Sequence, residues 1–389
     1  LLMERIMDLE LPWRKLLGNE KVRALGTAMT LFADTGLEPA RNLLVNCARV
    51  TAGERLLILI EDAASGHYCA GIGPAVAKAA QAMGVQVQIE TVPFQKVVTH
   101  IEPKIEQALA AADCTIFFAR LGDQIRFCGL GNGKRAIVSY ALDLDALNSP
   151  FGQVDHRAFV ALKQAIDRFV GLARDIHVTC PRGTDFRGPG KPELLSRDTD
   201  VAVTRFPMSV FAPVPVTGYS GCVVMTKFVT GTCSRFYKPF AAPLDGHLKA
   251  HFKDNRLTGF TGLPSDVARA NAHYDHVAGM FGIERDFVHS WHAGIHPGCS
   301  YSAPAAENYE RWCAGAFGNP RILHVHTCGA FAPGEISWNI LDPTISIDGV
   351  NVWENGVLHV NRVPGGEDIL GRYPCARRAF AAPAQEVGL

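Results

Sequence analysis

The distribution of apolar and polar positions divides the chain into two textures. In the first, short apolar runs alternate with helical patterns. Residues 55–60 (RLLILI) form an unbroken apolar run after a Gly-Glu turn, which predicts a buried strand. Residues 72–83 (IGPAVAKAAQAM) are an Ala-rich helical pattern stopped by Gly84. Strands are expected at 85–90 (VQVQIE), 114–119 (CTIFFA) and 135–140 (RAIVSY), with helices at 41–52, 101–112 and 155–174. Strand–helix alternation at this spacing implies right-handed crossovers and a mostly parallel sheet. The first part, residues 1–175, therefore reads as an α/β domain, doubly wound and flavodoxin-like or Rossmann-like.

After residue 175 the texture changes. Residues 200–236 are rich in Val, Thr, Phe, Pro and Gly, the mark of antiparallel strands and turns. Near the end, ISIDGVNVWENGVLHV carries D-G and N-G dipeptides between alternating runs, a hairpin signal. Residues 176–389 are expected to form an α+β domain rich in antiparallel strands.

Composition narrows the function classes. Lys plus Arg equals Asp plus Glu, 38 each, and no basic stripe stands out, so no nucleic-acid partner is expected. No stretch reaches the roughly 18 unbroken apolar residues of a membrane span. The first 17 residues mix acids with apolar residues and read as an amphipathic helix, not a leader. Eleven cysteines without a C-x-x-C pair suggest reduced thiols in a cytoplasmic protein, with Cys299 and Cys328 set apart by their place beside the histidines. A nucleotide site is not expected: EDAASGHYCAGIG follows the first strand without a G-x-G-x-x-G, and GLGNGKR precedes a strand rather than a helix.

The chemistry concentrates in histidine. Seven of the 14 histidines lie between His273 and His326, where an even spread would put about two. Five fall in two compact motifs, HSWHAGIHPG (289–298) and HVHTCG (324–329). Neutral imidazole is the commonest transition-metal ligand near neutral pH. His324 and His326 alternate along an apolar run, so on a strand both point to one face. One or two histidines from the first motif would complete a first shell, which makes His289, His292, His324 and His326 the candidate ligands. Glu335 is close enough in sequence to be a carboxylate ligand or a base, and His296 is the candidate acid or base on a substrate hydroxyl. His273 and His276, in a helical pattern, read as structural. Arg187, Arg235 and Lys238 are candidate partners for a substrate carboxylate or phenolate.

Laid out in this way, the chain resembles the aminopeptidase T (M29) clan, and especially its 2,5-dihydroxypyridine dioxygenase relatives. The resemblance rests on LLVNCARVTAGERLLILIED, DIHVTCPRGTDFRG, AGIHPG and GEISWNILDPTISIDGVNVWENG. It implies an N-terminal α/β domain and a C-terminal metal-bearing domain. The peptidases carry a two-metal site of Glu, His and Asp; the dioxygenases carry one Fe(II) held by two His and one carboxylate. AGIHPG resembles the family turn that follows a ligand, here His289 or His292. HVHTCG resembles the His before a glycine-rich stretch, here His324 or His326. The family's late His-x-Asp, however, is replaced by Ser337 and Asn339 in ISWNILDPT, so the extra histidines would have to supply a relocated first shell.

The resemblance implies a mononuclear enzyme, with Fe(II) first and Zn(II) or Mn(II) as alternatives. Its substrates would be O2 and a small hydroxylated aromatic or heteroaromatic compound to be opened by dioxygenation, and its assembly a homo-oligomer. A divalent-metal hydrolase is the runner-up. A relative that has lost catalysis is the third reading.

Overall fold

The computed structural model describes residues 37–98, 100–126, 133–196, 202–330 and 334–389. The expected N-terminal helix and most of GLGNGKR lie outside these residues.

The first sheet runs Gln86–Val92, Arg55–Glu61, Cys114–Phe118, Arg135–Ser139 and Thr204–Phe206, all parallel. This is the flavodoxin-like order, with the reversal between Arg55–Glu61 and Cys114–Phe118. The unbroken RLLILI run is explained by what covers it. Leu56 and Ile58 pack with Ile72 and Val76 of the Ile72–Ala82 helix. Leu57 and Leu59 pack with Ile105 and Ala108 of the Pro103–Ala111 helix. With helices on both faces, alternation is neither needed nor present. Long helix His156–Leu172 follows, its N-terminus capped by Asp155 accepting from Arg157 N. Sequence expectation and structure agree on these elements to within two residues at each end. The 41–52 segment differs: it is a short helix, Leu37–Arg41, running into a wider turn, Asn42–Cys47.

The chain then leaves this sheet and returns once. Ile176–Thr179 and Asp185–Gly188 belong to an eight-stranded sheet, but Thr204–Phe206 pairs back onto Arg135–Ser139. The parallel sheet thus takes its edge strand from beyond residue 175.

The remaining strands form two further sheets. One has six strands, in the order Ala241–Pro243, Phe228–Gly231, Ile336–Leu341, Ile322–Thr327, Val288–Ala293, Val214–Pro215, all antiparallel. The other has eight and includes the expected hairpin, Thr344–Ile347 with Val350–Glu354, turning at Asp348-Gly349, where both residues have positive φ. The two sheets pack face to face. Trp291, Val325 and Trp338 form one cross-strand row on the inner face of the six-stranded sheet. Trp291 meets Phe186 and Trp338 meets Phe252 of the eight-stranded sheet, with ring centroids 6.0 Å apart in each case. Burying a Trp at such a junction is worth several kcal/mol, roughly 3 to 5 by the cost of truncating one. Among the described residues, no helix is long and apolar enough to cross a membrane.

Candidate metal centre

The strands Val288–Ala293, Ile322–Thr327 and Ile336–Leu341 are buried on both faces, apart from a half-buried His289, yet they differ in what each face carries. One face is the Trp-rich core. The period-two alternation puts polar residues on the other. They form two cross-strand rows: His292 opposite His324 opposite Asn339, and Ser290 opposite His326 opposite Ser337 opposite Thr230. Directly opposed residues in an antiparallel pair lie roughly 4.5–5.5 Å apart, so His292, His324 and His326 form a triangle. Their ring centroids are 4.2, 5.0 and 5.0 Å apart. One ligand-capable atom from each lies within 4.8 Å of those from the other two.

Each ring has its own support. His292 donates from Nδ1 to the Phe211 carbonyl at 2.8 Å, which leaves the lone pair on Nε2. His326 Nδ1 is 3.2 Å from the Ser290 hydroxyl. His324 stacks on Phe317, centroids 4.2 Å apart, and its Nδ1 is buried without a hydrogen-bond partner. Burial, and then the neighbouring His292, hold His324 and His326 well below the ordinary histidine range. Arg205 and Arg126 push in the same direction. Both rings are therefore neutral at physiological pH, the protonation state a metal requires. Three buried imidazoles, one with an orphaned nitrogen and one with its tautomer set by a carbonyl, fit a divalent cation. Among the described residues it is the one such group.

The sequence-expected site residues part company here. His292, His324 and His326 come together. His289 does not join them, because a bulge between Val288 and Ser290 makes it the extra residue of its strand. It stays half-buried at the edge, with Nδ1 2.9 Å from the Ser290 hydroxyl. His296 does not line the cavity beside the triangle. Its strand ends at Ala293, and Gly294 lies so close to Asn319 that an added Cβ would meet the Asn319 carbonyl oxygen at 2.1 Å. The turn sends His296 into the core beneath Phe159, where the rings stack at 3.8 Å. Burial drops its pKa to about 3. Glu335 is also outside the triangle. Its carboxylate accepts from Ser234 at 3.1 Å and pairs with Arg235 at 3.4 Å, and burial raises its pKa to about 7.

Ser337 and Asn339 do lie on the polar face beside the triangle. Ser337 donates to Asn339 at 3.0 Å, and Asn339 donates to Thr230 at 3.1 Å. These two positions of Ile336–Leu341, where a His-x-Asp was expected from the sequence motifs, thus form a self-satisfied hydrogen-bond chain with Thr230. The imidazoles sit instead on the next two strands of the sheet, Ile322–Thr327 and Val288–Ala293.

The polar face opens onto a cavity of about 1290 Å³, more than the roughly 300–1,000 Å³ that ordinary small-molecule sites enclose. Phe211, Phe236 and Phe317 supply apolar wall. The far wall comes from the parallel sheet, whose carboxyl ends deliver Arg120, Tyr140 and Arg205. These side chains escaped the sequence reading, since only the return of Thr204–Phe206 to the first sheet brings Arg205 there. The residues suggested earlier as substrate partners are engaged elsewhere or absent from the lining: Arg187 pairs with Asp175 at 2.7 Å, Arg235 with Glu335, and Lys238 does not line the cavity. Cys299 and Cys328 are buried away from it, their thiols pushed up to about 12 by burial.

Among solved structures, the chain is similar to 2,5-dihydroxypyridine dioxygenase from Pseudomonas putida KT2440. That match has TM-score 0.56 and 14% identity, and covers 83% of this chain and 96% of that one. The fold is shared with that structure. Wild-type AmpT from Thermus thermophilus also matches, with TM-score 0.45 and 9% identity over 84% of this chain and 99% of that one. No family model and no curated protein sequence matches the chain. The first of these is the kind of protein that the sequence motifs suggested.

Proposed function

We propose that His292, His324 and His326 hold one divalent metal, Fe(II) in the first place, and that the protein is an oxygen-dependent enzyme that opens the ring of a small hydroxylated aromatic or heteroaromatic compound. The observation that carries this reading is the buried three-imidazole triangle at the wall of a large, partly aromatic cavity. Three protein ligands leave coordination positions for substrate oxygens and O2. When bound, Fe(II) supplies the Lewis acidity and the redox capacity that O2 chemistry needs.

The chain's own residues have separate tasks. Ser290 orients His326 through its hydroxyl. The Phe211 carbonyl fixes the His292 tautomer. Phe317 holds the His324 ring flat from behind. Phe211 and Phe236 offer apolar surface to a ring and exclude water from it. His289, beside Ser290 at the cavity edge, replaces His296 in our assignment as the imidazole that carries a proton to or from a substrate hydroxyl. The shared fold with a protein whose name is 2,5-dihydroxypyridine dioxygenase supports the choice of reaction class.

A second reading has one observation in its favour. Three histidines with an open position are also a donor set that zinc uses to activate water, so a zinc hydrolase acting on an amide or ring C–N bond is the alternative. The test is oxygen uptake. Protein purified without oxygen and loaded with Fe(II) should consume O2 when given 2,5-dihydroxypyridine or a related dihydroxylated ring. Turnover with Zn(II) that is indifferent to O2 would replace the first reading with the second.

A further inference from the structure

The wall facing the histidines is basic, and its charges are not all cancelled. Five basic side chains, Arg120, Arg126, Lys163, Arg168 and Arg205, and two aspartates, Asp123 and Asp167, line the cavity. Arg120 is held by Glu61 at 2.6 Å and by Glu310. Lys163 pairs with Asp167 at 2.7 Å. Arg126 donates to Asp123 at 2.9 Å, and the Tyr140 hydroxyl donates to the same oxygen at 2.5 Å. That leaves Arg168, which is exposed, and Arg205, which is partly buried. Among the described residues, Arg205 has no carboxylate partner; its guanidinium lies 4.5 Å over the Tyr140 ring. Tyr140 is itself anchored to Asp123, so Arg205, Tyr140, Asp123 and Arg126 form one braced ridge. An arginine stacked on a ring keeps its planar N–H edge available for an oxyanion.

The opposite wall adds to the imbalance. Three imidazoles are neutral ligands, so a divalent ion there keeps its full charge, with no carboxylate ligand to offset it. Both walls favour a negatively charged guest.

We infer that the substrate is a small oxyanion-bearing compound whose carboxylate or phosphate is held by Arg205, with Arg126 beside it, while its ring reaches across to the histidine face. This rests on the metal-enzyme reading for the far end of the molecule, but the anion subsite is built only from the parallel sheet and the short helix Leu121–Gln124 beside it. The braced ridge selects for charge: a neutral amide in place of the oxyanion cannot match it, and a protonated amine is repelled.

The test uses the full chain, metal-free and Zn(II)-loaded, with salicylate, its neutral counterpart salicylamide, and phenyl phosphate, each titrated by calorimetry. The metal-free protein should hold salicylate or phenyl phosphate at least about tenfold more tightly than salicylamide, in line with the strength of charge-assisted hydrogen bonds. Whichever anion binds better identifies the oxyanion. Arg205→Gln should reduce the preference to within about threefold, and Arg205→Lys, which keeps the charge, should retain part of it. Equal binding of salicylate, phenyl phosphate and salicylamide by wild-type protein overturns the inference, as does an unchanged preference in Arg205→Gln. Metal content measured on the same samples separates the two readings. Protein that holds no metal yet keeps an Arg205-dependent preference removes the metal reading and leaves the anion subsite; protein that binds metal without the preference does the reverse.

Discussion

Glu335 illustrates how burial sets a side chain's chemistry. Its carboxyl sits at about 7 because desolvation outweighs Arg235 and Ser234. The folded protein therefore binds a proton there more tightly than the unfolded chain, whose carboxyl sits near 4.5. With an acid raised on folding, stability is fully present below the unfolded value and falls as pH rises toward the folded one. Glu335→Gln should thus gain thermal stability relative to wild type at pH 8 and show no gain at pH 4.5, as read by melting temperature across that range. A constant offset at all pH values would contradict the assignment. At the same scale, Ser290→Ala removes the hydroxyl shared by His326 and His289. Loss of an orienting partner typically weakens metal affinity about 10- to 100-fold, which competition with a chelator would measure. The sequence made the histidine density and the pairing of His324 with His326 legible, because alternation along an apolar strand is a local rule. It left His289 and His292 as equals, because the bulge that separates them depends on the partner strand. His296 and Glu335 looked like site residues by proximity in sequence alone. A glycine-enforced turn carries the first away, and Ser234 and Arg235 hold the second.

At the scale of elements, the site is a property of one sheet face. Three adjacent buried strands carry Trp-rich core on one side and a polar grid on the other, and the imidazoles occupy grid points on two of them. Asn339 lies directly opposite His324. Asn339→Asp places a carboxylate at that point, where a divalent cation would be attracted; metal affinity should rise by about tenfold or more, while the metal-free protein should lose stability from a buried, uncompensated charge. Calorimetric titration and thermal melts of the same preparation check both halves, and unchanged affinity would place the ion elsewhere. The strands and helices of the parallel sheet were legible to within a few residues. Their apolar runs are long enough to read alone, and Gly84 marks a stop by its backbone freedom. The D-G and N-G hairpin was legible for the same reason. Strand order in the six-stranded sheet was not, since it joins segments more than a hundred residues apart whose pairing no local pattern encodes.

At the scale of the molecule, the cavity exists because the chain returns. Thr204–Phe206 closes the edge of the parallel sheet after two strands have already gone to another sheet, and that return sets Arg205 opposite the histidines. The sequence offered a change of texture near residue 175 but nothing that foretold the crossing. A ligand that binds only the folded state stabilises it by mass action, about 2.7 kcal/mol at a hundredfold excess over Kd. Metal at that excess should therefore raise the melting temperature of wild-type protein and leave His324→Ala/His326→Ala unmoved.

If three histidines on one sheet face bind one divalent ion, the ion should stay with the protein and leave when any of the three is removed. The metal content of protein purified without oxygen, loaded with Fe(II) and desalted decides this, compared with His292→Ala, His324→Ala and His326→Ala prepared alongside. One ion per wild-type chain is expected, with a substantial loss in each variant that keeps its fold by circular dichroism. Equal metal content in wild type and the three variants, or no retained metal in the wild type, would contradict it.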